Sequence, residues 1–214
     1  MPAGRTDLAV EPLTPERWPA FAELLDAGGP AGRCWCMAHR VGPGYRRRPA
    51  AENREDMHDV VRRGPPPGLL AFDGGGVAVG WCQVTPRADV PALGRQWRLR
   101  PVDDVPVWAI TCFYVRKGRR RTGVVRALVD AAVDLARRAG APAVEAYPLD
   151  ATRSPSATST GYATTFAAAG FVEVARRSPE RPVMRLTLAP AVTGTRREPA
   201  ASASPRTTGS RPSP

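Results

Sequence analysis

One stretch leaves this chain little freedom in what it folds into: Val107-Trp-Ala-Ile-Thr-Cys-Phe-Tyr-Val115, almost continuously apolar and rich in β-branched and aromatic residues. Such a run predicts a strand covered on both faces, at the centre of a sheet. It passes directly into Arg116-Lys-Gly-Arg-Arg-Arg-Thr-Gly-Val-Val125. Beyond that loop, Val124, Val125, Leu128, Ala132 and Leu135 fall on one helical face, with Arg126, Asp130, Asp134 and Arg138 on the other. Gly140 and Pro142 end the helix. A strand handing over to a glycine-containing turn and a helix brings unpaired backbone N–H groups and the positive end of the helix dipole to one point. That arrangement binds phosphate. Gly123 lets a ligand approach the backbone closely, and the arginines attract a polyanion. Gly118 and Gly123 have the spacing of a nucleoside-triphosphate loop, but Val124-Val125 stands where Lys-Ser/Thr would reach the terminal phosphates and magnesium. ATP or GTP hydrolysis is therefore disfavoured.

The remaining pattern supplies the other elements. Residues 8–10 read as a short strand, and Thr14-Pro15-Glu16 opens a helix with Trp18, Phe21, Leu24 and Leu25 on its apolar face. After Cys34-Trp-Cys-Met37 and a basic loop, a helix is expected over 51–63, with Met57, Val60 and Val61 facing inward. Strands at 69–73 and 77–84 flank Gly74-Gly75-Gly76, a hairpin signal. Residues 85–106 show no period, which marks a candidate substrate loop. A strand at 143–147, a helix at 159–169 and strands at 171–175 and 183–188 complete a single α/β domain over 7–188. The order predicts one mixed, mostly antiparallel sheet of about six to seven strands flanked by helices. In 189–214, Val192 is the only sizeable aliphatic residue, so a disordered Pro/Ser/Arg-rich tail is expected.

Composition removes several classes. No apolar run approaches the roughly 18 residues of a membrane-spanning helix. The opening MPAGRTDLAVEPL lacks the charged-then-apolar design of a secretion signal. A cytoplasmic protein with no membrane partner is expected, its four cysteines free thiols rather than disulfides. The net charge of +11 invites a nucleic-acid reading. Only Lys117 among the 31 Lys+Arg residues is lysine, in a chain loaded with Ala, Gly and Pro, so the charge reflects coding composition as much as selected chemistry. Nucleic-acid binding is disfavoured and stays as a second alternative.

Arg120-x-x-Gly123-x-Val125 after the hydrophobic strand, and residues 162–171, where Gly170-Phe171 closes a short helix into a strand, resemble the GNAT acetyltransferase superfamily. The resemblance covers residues 8–188. It implies a GNAT-like acyl-CoA N-acyltransferase fold and an enzyme that passes an acetyl group from acetyl-CoA, its co-substrate, directly to an amine. It places the backbone of Phe113, Tyr114 and Val115 along the pantetheine arm, with an N–H near Phe113 or Tyr114 polarising the thioester carbonyl. It gives the pyrophosphate to Arg120, Arg121, Thr122, Gly123, Val124, Val125 and Arg126, sets Phe166 beside the cofactor, and calls for no metal. The acceptor is a small-molecule or peptide amine, and a homodimer is compatible with the resemblance.

Two positions depart from the family pattern. Val125 stands where the loop motif ends in Gly or Ala, and Phe166, four before Gly170, stands where many members carry a tyrosine that protonates the departing thiolate. Tyr162, one turn earlier, is the candidate to replace that tyrosine. The central strand carries no carboxylate, which leaves Asp103, Asp104, Glu145 and Asp150 near the sheet ends as bases acting through water. A lysine-like amine must lose a proton at a cost of roughly 4.6 kcal/mol at pH 7, against about 1 kcal/mol for an α-amine, so a weakly basic acceptor is favoured. Cysteine acyl-enzyme chemistry is disfavoured without an activating base. Cys34-x-Cys36 with His39 lacks the paired spacing and fourth ligand of a zinc site. His58, among charged neighbours, is expected on the surface. Trp35, Trp81, Trp97 and Trp108 are candidates to line an acceptor pocket, with core filling the alternative for Trp81 and Trp108; Tyr147 and Tyr162 either face the cleft or sit in the core with a satisfied hydroxyl. The first alternative function, motivated by Phe166 and Val125, is a non-catalytic CoA-sensing or protein-binding module.

Overall fold

The computed structural model describes residues 8–28, 33–150 and 159–188, so the expected tail over 189–214 lies outside the described residues. Seven strands make one sheet: β1 (Ala9–Pro12), β2 (Gly68–Phe72), β3 (Ala78–Pro86), β4 (Trp108–Val115), β5 (Ala143–Ala146), β6 (Val172–Ser178) and β7 (Arg181–Thr187). Their spatial order is β1-β2-β3-β4-β5-β7-β6, with the apolar run as the middle strand. Only β4 and β5 pair in parallel, and every other pair is antiparallel. The helices are α1 (Trp18–Asp26), α2 (Ala38–Val41), α3 (Ala50–Arg63), α4 (Pro91–Arg95), α5 (Val124–Arg138) and α6 (Ala163–Ala167). Among the described residues no helix is long and apolar enough to cross a membrane.

The sheet is covered on both faces. On one, α5 buries Val124, Leu128, Val129, Ala132 and Ala136 against Val79, Cys82, Ile110, Phe113 and Val144. Gly80 makes this close packing feasible: a Cβ there would stand 2.4 Å from Val124 Cγ1, so the first turn of α5 rests where only glycine leaves room. On the other face α1 and α3 close over Trp81, which meets Phe21 at a ring separation of 4.6 Å. His58, expected on the surface, is half-buried and stacks on Trp18 at 4.4 Å, because the indole offers its ring an apolar seat.

Residues 85–106, the candidate substrate loop, are a packed connection. They form short turns at Arg87–Asp89 and Trp97–Leu99 around α4, and bury Val90, Leu93 and Leu99 against Ala109, Tyr147 and Val183. Elements of three to five residues are too short to show a period. The helix expected over 159–169 is shortened to Ala163–Ala167, since Gly161 adopts φ +76° and Tyr162 is extended. Phe166 is fully buried between Phe113 and Phe171, with ring separations of 6.1 and 5.3 Å.

Between Gln83↔Cys112 and Val84↔Ile110 the register of β3 and β4 shifts, leaving Thr111 as an extra residue, a β-bulge. Ile110 and Phe113 consequently share the α5 face, while Cys112 and Tyr114 turn to the α1 side. The Thr111 hydroxyl donates to Gln83 Oε1 at 2.8 Å, and Gln83 Nε2 donates to the Cys36 carbonyl at 3.1 Å. All of this is buried, so the bulge and the turn at Cys36 are locked to each other.

Two outcomes follow from this packing. Phe166→Ala empties a fully enclosed site and should lower stability by about 3–5 kcal/mol in urea unfolding. His39, on α2, has Nδ1 3.4 Å from Gln96 Nε2, and burial together with nearby Arg181 brings its pKa down to about 4 from the ordinary 6.5. The fold holds it neutral while the unfolded chain protonates it, so its contribution is present above the unfolded value and is lost as pH falls toward the folded one. Between about pH 7 and pH 4.5, His39→Gln should lose on the order of 1–2 kcal/mol less stability than the parent chain in the same unfolding assay.

Candidate active site

Strand β4 loses its neighbour halfway along. It pairs with β5 only at Trp108↔Val144, Ala109↔Glu145 and Ile110↔Ala146. From the bulge onward its β5 side opens into a gap. The N–H of Arg116 donates to Val79 on β3 at 2.9 Å, so by the alternation of a strand the peptide groups of Phe113 and Val115 point the other way, into the gap. The Phe113 N–H donates there to the carbonyl of Ser159 at 2.5 Å. Tyr114 directs its own peptide group back toward β3. The N–H groups reaching the gap thus belong to Phe113 and Val115 rather than Tyr114.

Where β4 ends, the chain turns through Gly118 and Gly123, both at φ +88°, and Arg121 at φ +63°. Gly123 is the residue before the first helical position of α5, and its carbonyl accepts the first helical bond, from Ala127 N–H at 3.0 Å. The N–H groups of Val124, Val125 and Arg126 therefore have no carbonyl one turn back to donate to, and they gather at the positive end of a 15-residue helix. The arginines divide into two sets. Arg116 pairs with Glu23 at 2.9 Å, Arg119 pairs with Asp73, and Arg126 pairs with Asp130 at 2.9 Å while also donating to the Ala168 carbonyl. Arg120 and Arg121 are exposed, and no carboxylate pairs with them among the described residues.

Gap and loop open into one cavity of about 980 Å³. Of the residues singled out from the sequence, Phe113, Tyr114, Val115, Arg120, Arg121, Gly123, Val124, Val125, Arg126 and Tyr162 line it. Val125 rests its side chain partly on the core. Thr122 does not line the cavity and donates its hydroxyl to the Arg119 carbonyl at 2.7 Å. Phe166 stands behind Phe113 in the core and does not line the cavity either. Tyr162 immediately precedes α6, is half-buried, and bridges to Leu149 as a short parallel pair beside the gap.

The other sequence candidates are placed elsewhere. None of Trp35, Trp81, Trp97 and Trp108 lines the cavity: the first two are buried under α1, Trp97 is exposed, and Trp108 packs beside α5. Tyr147 is buried and donates its hydroxyl to Glu145 at 2.8 Å, which pushes its pKa up through desolvation and the carboxylate's charge. Glu145 is itself buried, held by Arg185 at 2.7 Å and Arg87 at 3.5 Å. Asp103 pairs with Arg185 at 2.7 Å and Asp150 with Arg176 at 2.6 Å. None of the four carboxylates proposed as bases reaches the cavity wall. The partners of Asp103, Glu145 and Asp150 include arginines distant in sequence, which spacing does not reveal.

The opposite wall was not foreseen. Arg33, Cys34, Cys36, Tyr45, Arg46, Arg48 and Cys112 line it, contributed by the segment between α1 and α3 and by the α1-facing side of β4. The basic character of residues 45–48 and the Cys34-x-Cys36 pair were the available signals.

A family model for the acetyltransferase (GNAT) family matches residues 36–157, more than half of the chain. No curated protein matches it in sequence. Among solved structures, an acetyltransferase of the GNAT family from Listeria monocytogenes superposes with a TM-score of 0.54 at 10% identity, over 88% of this chain and 99% of that one. The NatC complex bound to Gag peptide and CoA superposes with a TM-score of 0.50 at 15% identity, over 85% of this chain and 99% of the other. These likenesses show the fold, the family model spans the strand, the loop and α5, and the chain belongs to the GNAT acetyltransferase family.

Proposed function

We propose that the protein is an N-acetyltransferase that passes an acetyl group from acetyl-CoA directly to an amine, through an acetyltransferase unit over 7–188. One observation carries this reading: the N–H groups opening α5, Arg120 and Arg121, which have no carboxylate partner among the described residues, and the gap-facing side of β4 all bound the same 980 Å³ cavity. Donors and cations at one end suit a pyrophosphate, and an extended peptide edge at the other suits the amide-bearing pantetheine arm. The coenzyme supplies the activated thioester. The structure of the NatC complex with CoA supports the same class of ligand. Val125 does not obstruct this, because the contact asked of it is made by its backbone.

The residues then divide the work. Amides of Val124 to Arg126 anchor the diphosphate, and Arg120 and Arg121 neutralise its charge. The Phe113 N–H polarises the thioester carbonyl once Ser159 releases it, while the Val115 N–H holds the arm. Tyr162, on the cavity wall, gives a proton to the departing thiolate. With the four carboxylates tied up by arginines or off the wall, the acceptor amine arrives already neutral, which favours α-amines over lysine-type amines at neutral pH. The four cysteines form no disulfide among the described residues, and thiols suit a reducing cytoplasmic setting.

Acetyl-CoA at 100 times its dissociation constant should stabilise the chain by about 2.7 kcal/mol in thermal unfolding. Gly123→Asp should abolish that shift by placing a carboxylate among the amides; an undiminished shift would refute the loop assignment. Tyr162→Phe should keep the shift and lower thiol release in the presence of an α-amine by roughly 100-fold. Thermal stabilisation with no thiol release from any of a panel of amines would favour a non-catalytic coenzyme A module instead.

A further inference from the structure

The wall opposite the loop carries chemistry that acetyl transfer does not use. Trp35 and Cys36 both adopt left-handed backbone, φ +45° and +56°, which bulky residues hold only where their surroundings impose it. Three bonds hold the turn: Met37 N–H to the Cys34 carbonyl at 2.8 Å, Gln83 Nε2 to the Cys36 carbonyl at 3.1 Å, and Trp81 Nε1 to Cys36 Sγ at 3.1 Å. The turn puts Cys34 and Cys36 on either side of Trp35, and β4 presents Cys112 to the same cavity. All three cysteines line the cavity. Cys34 is half-buried and open to it, with Arg33, Arg46 and Arg48 on the same wall, whereas Cys36 is buried beneath it.

From this geometry we infer that Cys34 and Cys36 form a peroxide-reactive dithiol site, with Cys34 the attacking thiol and Cys36 the resolving one. The balance is complete with a hydroperoxide as oxidant. The Cys34 thiolate attacks one peroxide oxygen and the O–O bond breaks, giving a sulfenic acid and an alcohol or water that takes up the proton. The Cys36 sulfur then attacks the Cys34 sulfur, the S–S bond forms and water leaves; the two thiols lose two electrons and the peroxide gains them. The ionisation pattern agrees with this order. The Cys36 thiol and the backbone of the same turn bring Cys34 down to about 6 against the opposing effect of burial. Hydrogen bonds with Cys112 and Cys34, reinforced by burial, push Cys36 up. An accessible thiol of low pKa beside a resolving partner is the pattern of a redox-reactive cysteine. The fourth cysteine, Cys82, is buried in the sheet with its pKa pushed up by desolvation, and stays inert.

Full-length protein treated with hydrogen peroxide, alkylated and digested with trypsin tests this, because residues 34–40 form one peptide carrying both thiols. That peptide should lose two hydrogens and resist alkylation, and a thiol reductant should restore it. Cys34→Ser should abolish the change, Cys36→Ser should leave a sulfenic acid at Cys34 that dimedone captures, and Cys112→Ser should leave the disulfide intact. A peptide of unchanged mass, or a disulfide joining either residue to Cys112, overturns the assignment. The outcome is independent of whether acetyl-CoA is the co-substrate, since no coenzyme is added.

Discussion

The single extra residue at Thr111 is the constraint on which the site depends. A regular β4 would keep its alternation and continue to pair with β5. The bulge instead puts Ile110 and Phe113 on one face, and pairing with β5 stops at Ile110. Two consequences follow from one insertion: the peptide groups of Phe113 and Val115 beyond it turn to the gap instead of pairing with β5, and Cys112 and Tyr114 turn toward the α1 side, where they form part of the cavity wall. Such a defect persists only if its polar groups are satisfied, and here buried Gln83 bonds both the Thr111 hydroxyl and the Cys36 carbonyl. The same side chain thus holds the gap-lining strand β4 and the thiol-bearing turn in register.

Charge is arranged with comparable economy. Half of the loop's guanidinium groups are already committed, Arg116 to Glu23 and Arg119 to Asp73, while Arg126 pairs with Asp130 one turn further along α5. The first two pairs fix the loop against α1 and the end of β2 more than they contribute to stability, since exposed ion pairs are each worth about 0–1 kcal/mol. Arg120 and Arg121 have no carboxylate partner among the described residues. On the far side of the sheet the buried carboxylate of Glu145 meets Arg87, Arg185 and the Tyr147 hydroxyl, which leaves it no capacity for proton transfer in the cavity.

Local signals were readable in the sequence, long-range ones were not. The apolar run of β4, the helical stripe of α5 and the loop between them are each encoded within a dozen or so residues, and periodicity alone places them. The bulge has no such signature: Thr111 becomes the extra residue only because Gln83 and Val84 on another strand skip it. The tryptophans stay ambiguous for a related reason, since an aromatic side chain looks the same in sequence whether it fills a core or lines a cleft. Trp81 joins the core because Phe21 and Cys36, both distant in sequence, enclose it. Likewise the turn over 34–37 gave no period, and its left-handed backbone is imposed by partners on β3.

The bond between the Phe113 N–H and the Ser159 carbonyl bears on how such a cleft stays intact without a ligand. An N–H left unpaired in a partly buried gap costs about 1–3 kcal/mol, so a gap built to offer amides to a substrate is unstable unless something else accepts from them. Ser159 does so here, from just before Gly161, whose φ of +76° turns the chain into α6. A ligand carbonyl entering the gap exchanges one acceptor for another rather than creating a bond from nothing, so the net gain at that amide is small. In the proposed reading, affinity then comes from the far end of the cavity, where the N–H groups opening α5 have no carbonyl one turn back and Arg120 and Arg121 have no carboxylate partner among the described residues. On that reading the helix terminus decides whether acetyl-CoA binds, and the strand decides how its reactive end lies.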